Sequence, residues 1–304
     1  MPKQPYRHNE SKPKNSAARP PRPVAVRKSK PNVPRPAREE LGPRKPGQDA
    51  QSAPPENIVF GRNAVRETLK TKRPVEKMLV AEGLRGETTV RVLVATAIEQ
   101  GVDVQTVPRS KLDMLCQGNH QGVAIFAQMV PYKSLDDLLE IAAAREEEPW
   151  FLALDGLEDP HNLGALLRVC DCAGVHGIII PKRRAAGLTP AAVRTASGAA
   201  EYVPVAQVVN LHQALLRLKE EGITVIGAQM GKTSVFDAEP GMAKQPLCVV
   251  LGGEGKGLTR LIAETCDMLL GLPMKGKTGS LNAATAGAAF LYEILRQKDI
   301  VSTA

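Results

Sequence analysis

Asn162, Arg168, Glu254, Ser280 and Asn282 are two amides, a guanidinium, a carboxylate and a hydroxyl, most of them next to loops rich in glycine or proline. The chemistry they could share is that of a ligand cradle, in which glycine backbone comes close to a bound molecule and polar side chains converge on it. Around them the sequence predicts three strands. Phe151 to Leu154 leads into Asp155, Gly156 and the segment Asp159 to Asn162. Leu247 to Leu251 ends in Gly252, Gly253, Glu254, Gly255 and Gly257. Met268 to Leu272 runs into a Pro, Gly and Ser segment that opens a helix of small residues from Asn282. In an open α/β sheet, ligands sit outside the carboxyl ends of the strands, so the sheet rule brings these side chains to a common edge. Individually each has a simpler role open to it: Asn162 or Ser280 as a helix cap, Arg168 in a surface salt bridge, Glu254 solvated in its loop.

The elements that must position them follow a β-α alternation. Asp159 is a credible N-cap with Pro160 at the first helical position, although Asn162 could cap instead. Leu163, Leu166, Leu167 and Cys170 then form one buried stripe, with Arg168 on a different face. A strand at Gly177 to Ile180 completes a βαβ unit. Helix Leu211 to Glu221 and strand Thr224 to Ala228 continue the pattern, which implies a mostly parallel sheet covered by helices on both faces. Upstream, residues 57–129 read as a small α/β domain. Its helices fall at Gly61 to Lys70, Thr88 to Gln100 and Ser110 to Cys116, and its strands at Lys77 to Ala81, Val102 to Val107 and Gly122 to Ala127. His120, beside Gln121 and Gly122, is more simply a turn residue than a ligand contact. Residues 130–149 read as a linker with a helix at Leu135 to Ala144 and a solvated charge run at Arg145 to Glu148. The larger domain occupies residues 150–299.

The net charge of +8 belongs to one end. Residues 1–55 hold thirteen Lys and Arg against four acids, and thirteen of the 24 prolines, so the rest of the chain comes to about −1. Such a segment has too little apolar surface to offset its ordering entropy, and a disordered basic tail that could tether phosphate backbone is expected. No apolar run approaches the roughly 20 residues of a membrane span and no signal-peptide core is present, so a cytoplasmic protein without membrane contact is expected. The five cysteines lack metal-finger spacing and partner histidines. They read as reduced packing residues, and no metal is expected.

Two motif matches are decoys. Gly271 to Thr278, GLPMKGKT, fits the phosphate-loop pattern, yet Gly279 follows where a helix should start and fewer than thirty residues remain. GEGKG lacks the acidic residue that a dinucleotide fold places at the end of a second strand.

Three stretches, DPHNLGALLRVCDCAGV, LGGEGKGL and LPMKGKTGSLNAATAGAAFLYE, together with TASGAAEYVPV between the first two, resemble the motifs of the SpoU (TrmH) family of SPOUT RNA methyltransferases. GRNAVRETL and HQGVAIF are similar to that family's N-terminal substrate-binding domain, so the resemblance covers roughly residues 57–299. The nearest likeness is to bacterial 23S rRNA guanosine 2′-O-methyltransferases. One departure stands out: the third motif usually reads S-L-N-V-S, and here Ala283 and Ala284 follow Asn282, which bears on helix packing rather than chemistry.

The resemblance implies a trefoil-knotted, Rossmann-like methyltransferase domain that binds S-adenosylmethionine and works as a homodimer on RNA. It implies rRNA before tRNA, and a guanosine ribose. Gly252, Leu272 and Leu281 match the family's cofactor-holding positions, with Gly253, Pro273 and Met274 beside them. Asn162, Arg168, Glu254, Ser280 and Asn282 match its catalytic set. A guanidinium, with a pKa of about 12.5–13.8, is a poor base near neutrality. Arg168 is therefore expected to stabilise the developing alkoxide or clamp a phosphate, with the proton passing to phosphate, water or Glu254. A non-catalytic RNA-binding protein on the same fold would not need Arg168, Glu254 and Asn282 together, and a nucleotidase would need the GLPMKGKT loop.

Overall fold

In the computed structural model, the structure describes Pro55, residues 57–116 and residues 118–302. The expected disordered tail, residues 1–55, lies almost wholly outside the described residues.

The first sheet comprises β1 (Ile58–Phe60), β2 (Val75–Ala81), β3 (Asp103–Val107) and β4 (Val123–Ala127), in the order β1-β4-β2-β3. β4 is antiparallel to both neighbours, and β2 and β3 are parallel. Helices α1 (Arg62–Lys70) and α2 (Thr88–Glu99) pack Val65, Leu69, Val90 and Leu93 on one face. Helix α3 (Arg109–Leu115) closes the other through Leu112, against Phe60 and Leu79. The three-residue β1 is too short to give a periodic signal, and it is the one strand here that the sequence leaves undefined. His120 is buried, its Nε2 is 2.9 Å from Asp113 and its Nδ1 accepts the Gly122 N–H at 3.0 Å, so it builds the turn into β4.

Helix α4 (Leu135–Ala144) opens on a reciprocal cap: the Ser134 hydroxyl accepts the Asp137 N–H at 3.1 Å and the Ser134 N–H donates to Asp137 at 2.7 Å. The helix expected within the segment read as a linker packs as part of a core layer. Leu138 and Ala142 are fully buried, because α4 covers apolar sheet surface that would otherwise face water.

The second sheet has six strands, all parallel: β5 (Trp150–Asp155), β6 (Gly177–Pro181), β7 (Val205–Val208), β8 (Thr224–Ser234), β9 (Leu247–Gly252) and β10 (Met268–Gly271). Their order is β10-β8-β9-β5-β6-β7, so β5 and β9 are central. Both are continuous apolar runs because helices cover both faces. Helices α5 (Pro160–Ala173), α6 (Pro190–Ala196) and α9 (Ala283–Ser302) lie on one face, and α4, α7 (Leu211–Glu220) and α8 (Arg260–Thr265) on the other. Elements α6, α8 and β7 escape sequence reading because PAAVRTA, RLIAET and VAQV carry no clear apolar run or period. Strand β8 runs past the expected Ala228, because a register shift at Leu269/Leu270 lets its polar end pair with β10.

The two sheets meet across a polar seam. Arg73 and Glu201 form a 3.0 Å ion pair with side chains only 9% and 4% exposed, and Glu201 also accepts from the Thr68 hydroxyl at 2.8 Å. Beside it, the Tyr202 hydroxyl donates to Glu67 at 2.6 Å.

Candidate active site

Strands β9 and β10 and the start of α9 enclose a cavity of about 370 Å³. Its floor is apolar, from Leu251, Leu272, Ala283, Ala286 and Phe290, and its rim is the backbone of residues 252–258. The glycine rim is dictated by backbone crowding. A Cβ on Gly252 would lie 2.0 Å from the Gly257 carbonyl carbon, and one on Gly253 would lie 2.3 Å from the Gly156 oxygen. Gly255 and Gly257 take positive φ, at 77° and 65°, and the Gly257 N–H closes on the Gly253 oxygen at 3.0 Å. Asp155, at the end of β5, pins this loop: its carboxylate accepts the Thr259 N–H at 2.7 Å and its main-chain oxygen the Gly253 N–H at 2.9 Å. The sequence marks Asp155 only as the end of a strand; its backbone partner is set by tertiary structure alone.

Three of the five polar candidates interlock. Glu254 Oε1 accepts from the Asn162 amide at 2.8 Å and from the Asn282 amide at 2.9 Å, and Asn282 also donates to Asn162 Oδ1 at 2.9 Å. The first turn of α5, the loop after β9 and the start of α9 are thus tied at one point. Glu254 Oε2 makes no hydrogen bond among the described residues. Asn282 Oδ1 accepts the Ala284 N–H at 3.0 Å and the Thr285 N–H at 3.2 Å, so Asn282 caps α9. The expected cap of α5 is therefore Asp159, and neither Asn162 nor Ser280 takes the simpler capping role. Asp159 caps α5 through the His161 N–H at 2.9 Å, while Asn162 is 5% exposed and committed to Glu254, and Ser280 lines the cavity.

Of the cofactor-side candidates, Gly252, Gly253, Leu272, Met274 and Leu281 line the cavity, whereas Pro273 does not. Arg168 is not brought in either. It is exposed on α5, six residues and therefore about 120° around the helix from Asn162, and has no ion pair among the described residues. Ala283 and Ala284, where the family motif departs, are buried at the head of α9, and a Cβ on Gly287 would meet Leu166 at 2.5 Å and Leu251 at 2.7 Å. Small residues are what the approach of α9 to α5 and β9 requires. His161 went unremarked in the sequence. Its Nδ1 lies 3.0 Å from the Thr195 hydroxyl, which already donates to the Ala191 oxygen at 2.9 Å, so Nδ1–H is the donor of this pair.

The phosphate-loop match is structurally void: residues 272–282 after β10 form a loop, and the helix begins only at Ala283. All five cysteines are unbridged. Burial pushes the Cys116 and Cys266 thiols up to about 11 and raises those of Cys170 and Cys248 further, so these four stay protonated near neutral pH. Among the described residues no group of three or more metal-ligating side chains is present, and no helix is long and apolar enough to cross a membrane.

Comparison with known proteins decides the family. Residues 149–292 match the SpoU rRNA Methylase family and residues 58–133 match RNA 2′-O ribose methyltransferase substrate binding. YacO of Bacillus subtilis (strain 168), assigned to the TrmH family of tRNA/rRNA methyltransferases, is 45% identical over 246 residues, which is 81% of this chain and 97% of YacO. The chain belongs to the SpoU (TrmH) family of RNA methyltransferases. A Staphylococcus aureus (strain MSSA476) member is 40% identical over 80% of this chain and 97% of its own length. The SpoU methyltransferase AviRb from Streptomyces viridochromogenes, in complex with AdoMet, superposes with a TM-score of 0.67 at 25% identity, over 80% of this chain and 90% of AviRb.

Proposed function

We propose that this SpoU-family chain transfers a methyl group from S-adenosylmethionine to a ribose 2′-hydroxyl of RNA, most favourably a guanosine of 23S rRNA. The observation that carries the reading is the Asn162–Glu254–Asn282 network standing against a cavity of cofactor size. The cavity suits the cofactor because its glycine rim is backbone, its floor is apolar for a planar base, and Glu254 supplies a carboxylate at its mouth. Bound there, S-adenosylmethionine supplies a methyl group already activated on a sulfonium.

The chain's own residues do the rest. Leu272, Met274 and Leu281, with Gly252 and Gly253, hold and shield the cofactor. Asn162 and Asn282 fix Glu254 by its Oε1, which leaves Oε2 to accept the ribose 2′-hydroxyl hydrogen bond and then its proton. Ser280 orients the ribose, and Arg168 stabilises the alkoxide or grips the neighbouring phosphate. Because Arg168 stands outside the cavity of its own chain, a homodimer in which a partner copy presents it completes the site. Mixing Arg168→Ala with Glu254→Ala protein should then restore about a quarter of wild-type activity, as one random heterodimer site in two is intact. A trefoil knot in the methyltransferase domain is part of the same reading.

The test is transfer of labelled methyl to unmodified large-subunit rRNA and, separately, to bulk tRNA, with Glu254→Ala as control. Label in rRNA that vanishes in the variant is expected. Label in tRNA alone would keep the chemistry and replace the substrate, and absence of both label and cofactor binding would refute the reading.

A further inference from the structure

A second cavity, open and of about 580 Å³, lies on the small N-terminal domain, apart from the methyltransferase cavity. Arg62, Arg66, Arg109, Asn63, Gln121 and Leu84 line it. Three arginines in one concavity are notable in a body that is near neutral once residues 1–55 are set aside.

The three are not equivalent. Arg62, the first residue of α1, is fixed on every side. Its guanidinium pairs with both oxygens of Glu87, one of them at 2.7 Å, its Nε donates to the Gln121 main-chain oxygen at 3.3 Å, and its own N–H donates to Gln121 Oε1 at 2.9 Å. Its charge is neutralised and its plane immobilised. Such a group serves as a stacking surface more than as a phosphate ligand. Arg66, one turn along α1, has a single weak bond to Asn63 at 3.3 Å, and exposed Arg109 makes no ion pair among the described residues. These two carry the uncompensated charge. Gln121 sits at φ 52°, a left-handed backbone unusual for a residue with a Cβ; with its Oε1 committed to Arg62, its amide N–H groups remain as donors. Leu84 supplies apolar surface.

We infer that this cavity binds one unpaired nucleotide of the RNA substrate. Arg66 and Arg109 take its phosphate, Arg62 and Leu84 flank its base, and Asn63 and Gln121 read polar edges. This rests on the RNA-methyltransferase reading for its choice of ligand. A concave site of this size takes a base splayed from its stack, whereas duplex RNA would be met by shape on a flatter surface. The site would hold the RNA by a nucleotide other than the one whose ribose is methylated.

The experiment measures anisotropy of a labelled single-stranded RNA 12-mer, and of the same sequence as a duplex, against the full chain across a salt series. Arg66→Ala/Arg109→Ala should weaken single-strand binding tenfold or more and lower the slope of log K on log salt by about 0.7, for the one phosphate the two arginines share. Arg66→Lys/Arg109→Lys should recover the slope but not the full affinity, since an ammonium cannot chelate or stack as a guanidinium does. The control Arg145→Ala/Arg217→Ala removes two exposed charges elsewhere and should leave binding within twofold of wild type. Equal behaviour of the pocket and control variants would overturn the inference. So would an equal loss for duplex and single strand, which would mean a basic patch and no nucleotide pocket. S-adenosylmethionine binding and methyl transfer by the wild-type protein are measured alongside. A protein that methylates RNA while its pocket variant binds like the control refutes only the pocket. A protein that methylates no RNA but loses single-strand binding in the pocket variant refutes only the methyltransferase reading.

Discussion

Asn282 does two jobs that a pair of substitutions can separate. Its Oδ1 accepts the Ala284 and Thr285 N–H groups at 3.0 and 3.2 Å, and its amide donates to Glu254 and Asn162, both at 2.9 Å. Asn282→Ala removes both, while Asn282→Ser keeps a competent helix cap and loses the two donors. The cap contributes about 1 kcal/mol. Of the amide bonds, the one to Glu254 is exposed and the one to Asn162 part-buried, and together they contribute about 0.5–1 kcal/mol to stability. At roughly 2–4 °C per kcal/mol for a domain of this size, Asn282→Ala should lower Tm by about 4–8 °C and Asn282→Ser by about half as much. Turnover should behave differently. Both variants leave the Glu254 carboxylate held by Asn162 alone, and a lost hydrogen bond to a charged group of about 1.5–3 kcal/mol translates into a drop of about 10–100-fold in kcat/KM. The assays are differential scanning fluorimetry and labelled-methyl transfer. Equal melting of the two variants would show that Asn282 is not the cap. Wild-type turnover in Asn282→Ser would show that the amide network does not position Glu254.

Further outcomes follow from the same geometry. Gly252→Ala places a Cβ 2.0 Å from Gly257 backbone, so isothermal titration should find S-adenosylmethionine affinity lost while far-UV circular dichroism is retained. Arg73→Met leaves Glu201 buried without its cation and should destabilise by about 3 kcal/mol, seen in urea melts. Because Arg73 Nε is buried without a partner, the pair is incompletely satisfied, and Arg73→Met/Glu201→Leu should recover most of that loss. His176 is buried, accepts the Trp150 N–H at 3.1 Å, and is held below its ordinary value by burial and by Arg145, against the opposing pull of Glu147. The unfolded chain then binds the extra proton, so stability is full above about pH 6.5 and declines as pH falls below it. Tm measured from pH 7.5 to 5.5 should fall more steeply for wild type than for His176→Asn.

The parallel sheet was legible because its central strands are continuous apolar runs and the helix after the first of them announces itself by its cap, Asp159–Pro160 before α5. Elements β7, α6 and α8 were not, since VAQV, PAAVRTA and RLIAET have neither a continuous apolar run nor a clear period to register. At the site, the sheet rule correctly gathered Asn162, Glu254 and Asn282 from three strand ends. It could not say that Arg168 would turn away, because the direction of a helical side chain relative to a cavity depends on the rotation of α5 against the sheet. Asn282 as cap of α9 was missed for a related reason: several polar residues precede Ala283, and only tertiary contact with Glu254 selects among them. The segment read as a linker carries a core helix because Leu135, Leu138 and Ala142 fall on one face of α4, which shares the covering of that sheet face with α7 and α8.

The most direct test is the chemical position of the transferred methyl. RNA labelled by the full chain is digested with alkali, which cleaves beside every free 2′-hydroxyl but not beside a methylated one. The account predicts label in alkali-resistant dinucleotides at a single guanosine of 23S rRNA, absent with Glu254→Ala. Label recovered in alkali-sensitive mononucleotides would place the methyl on a base and contradict it.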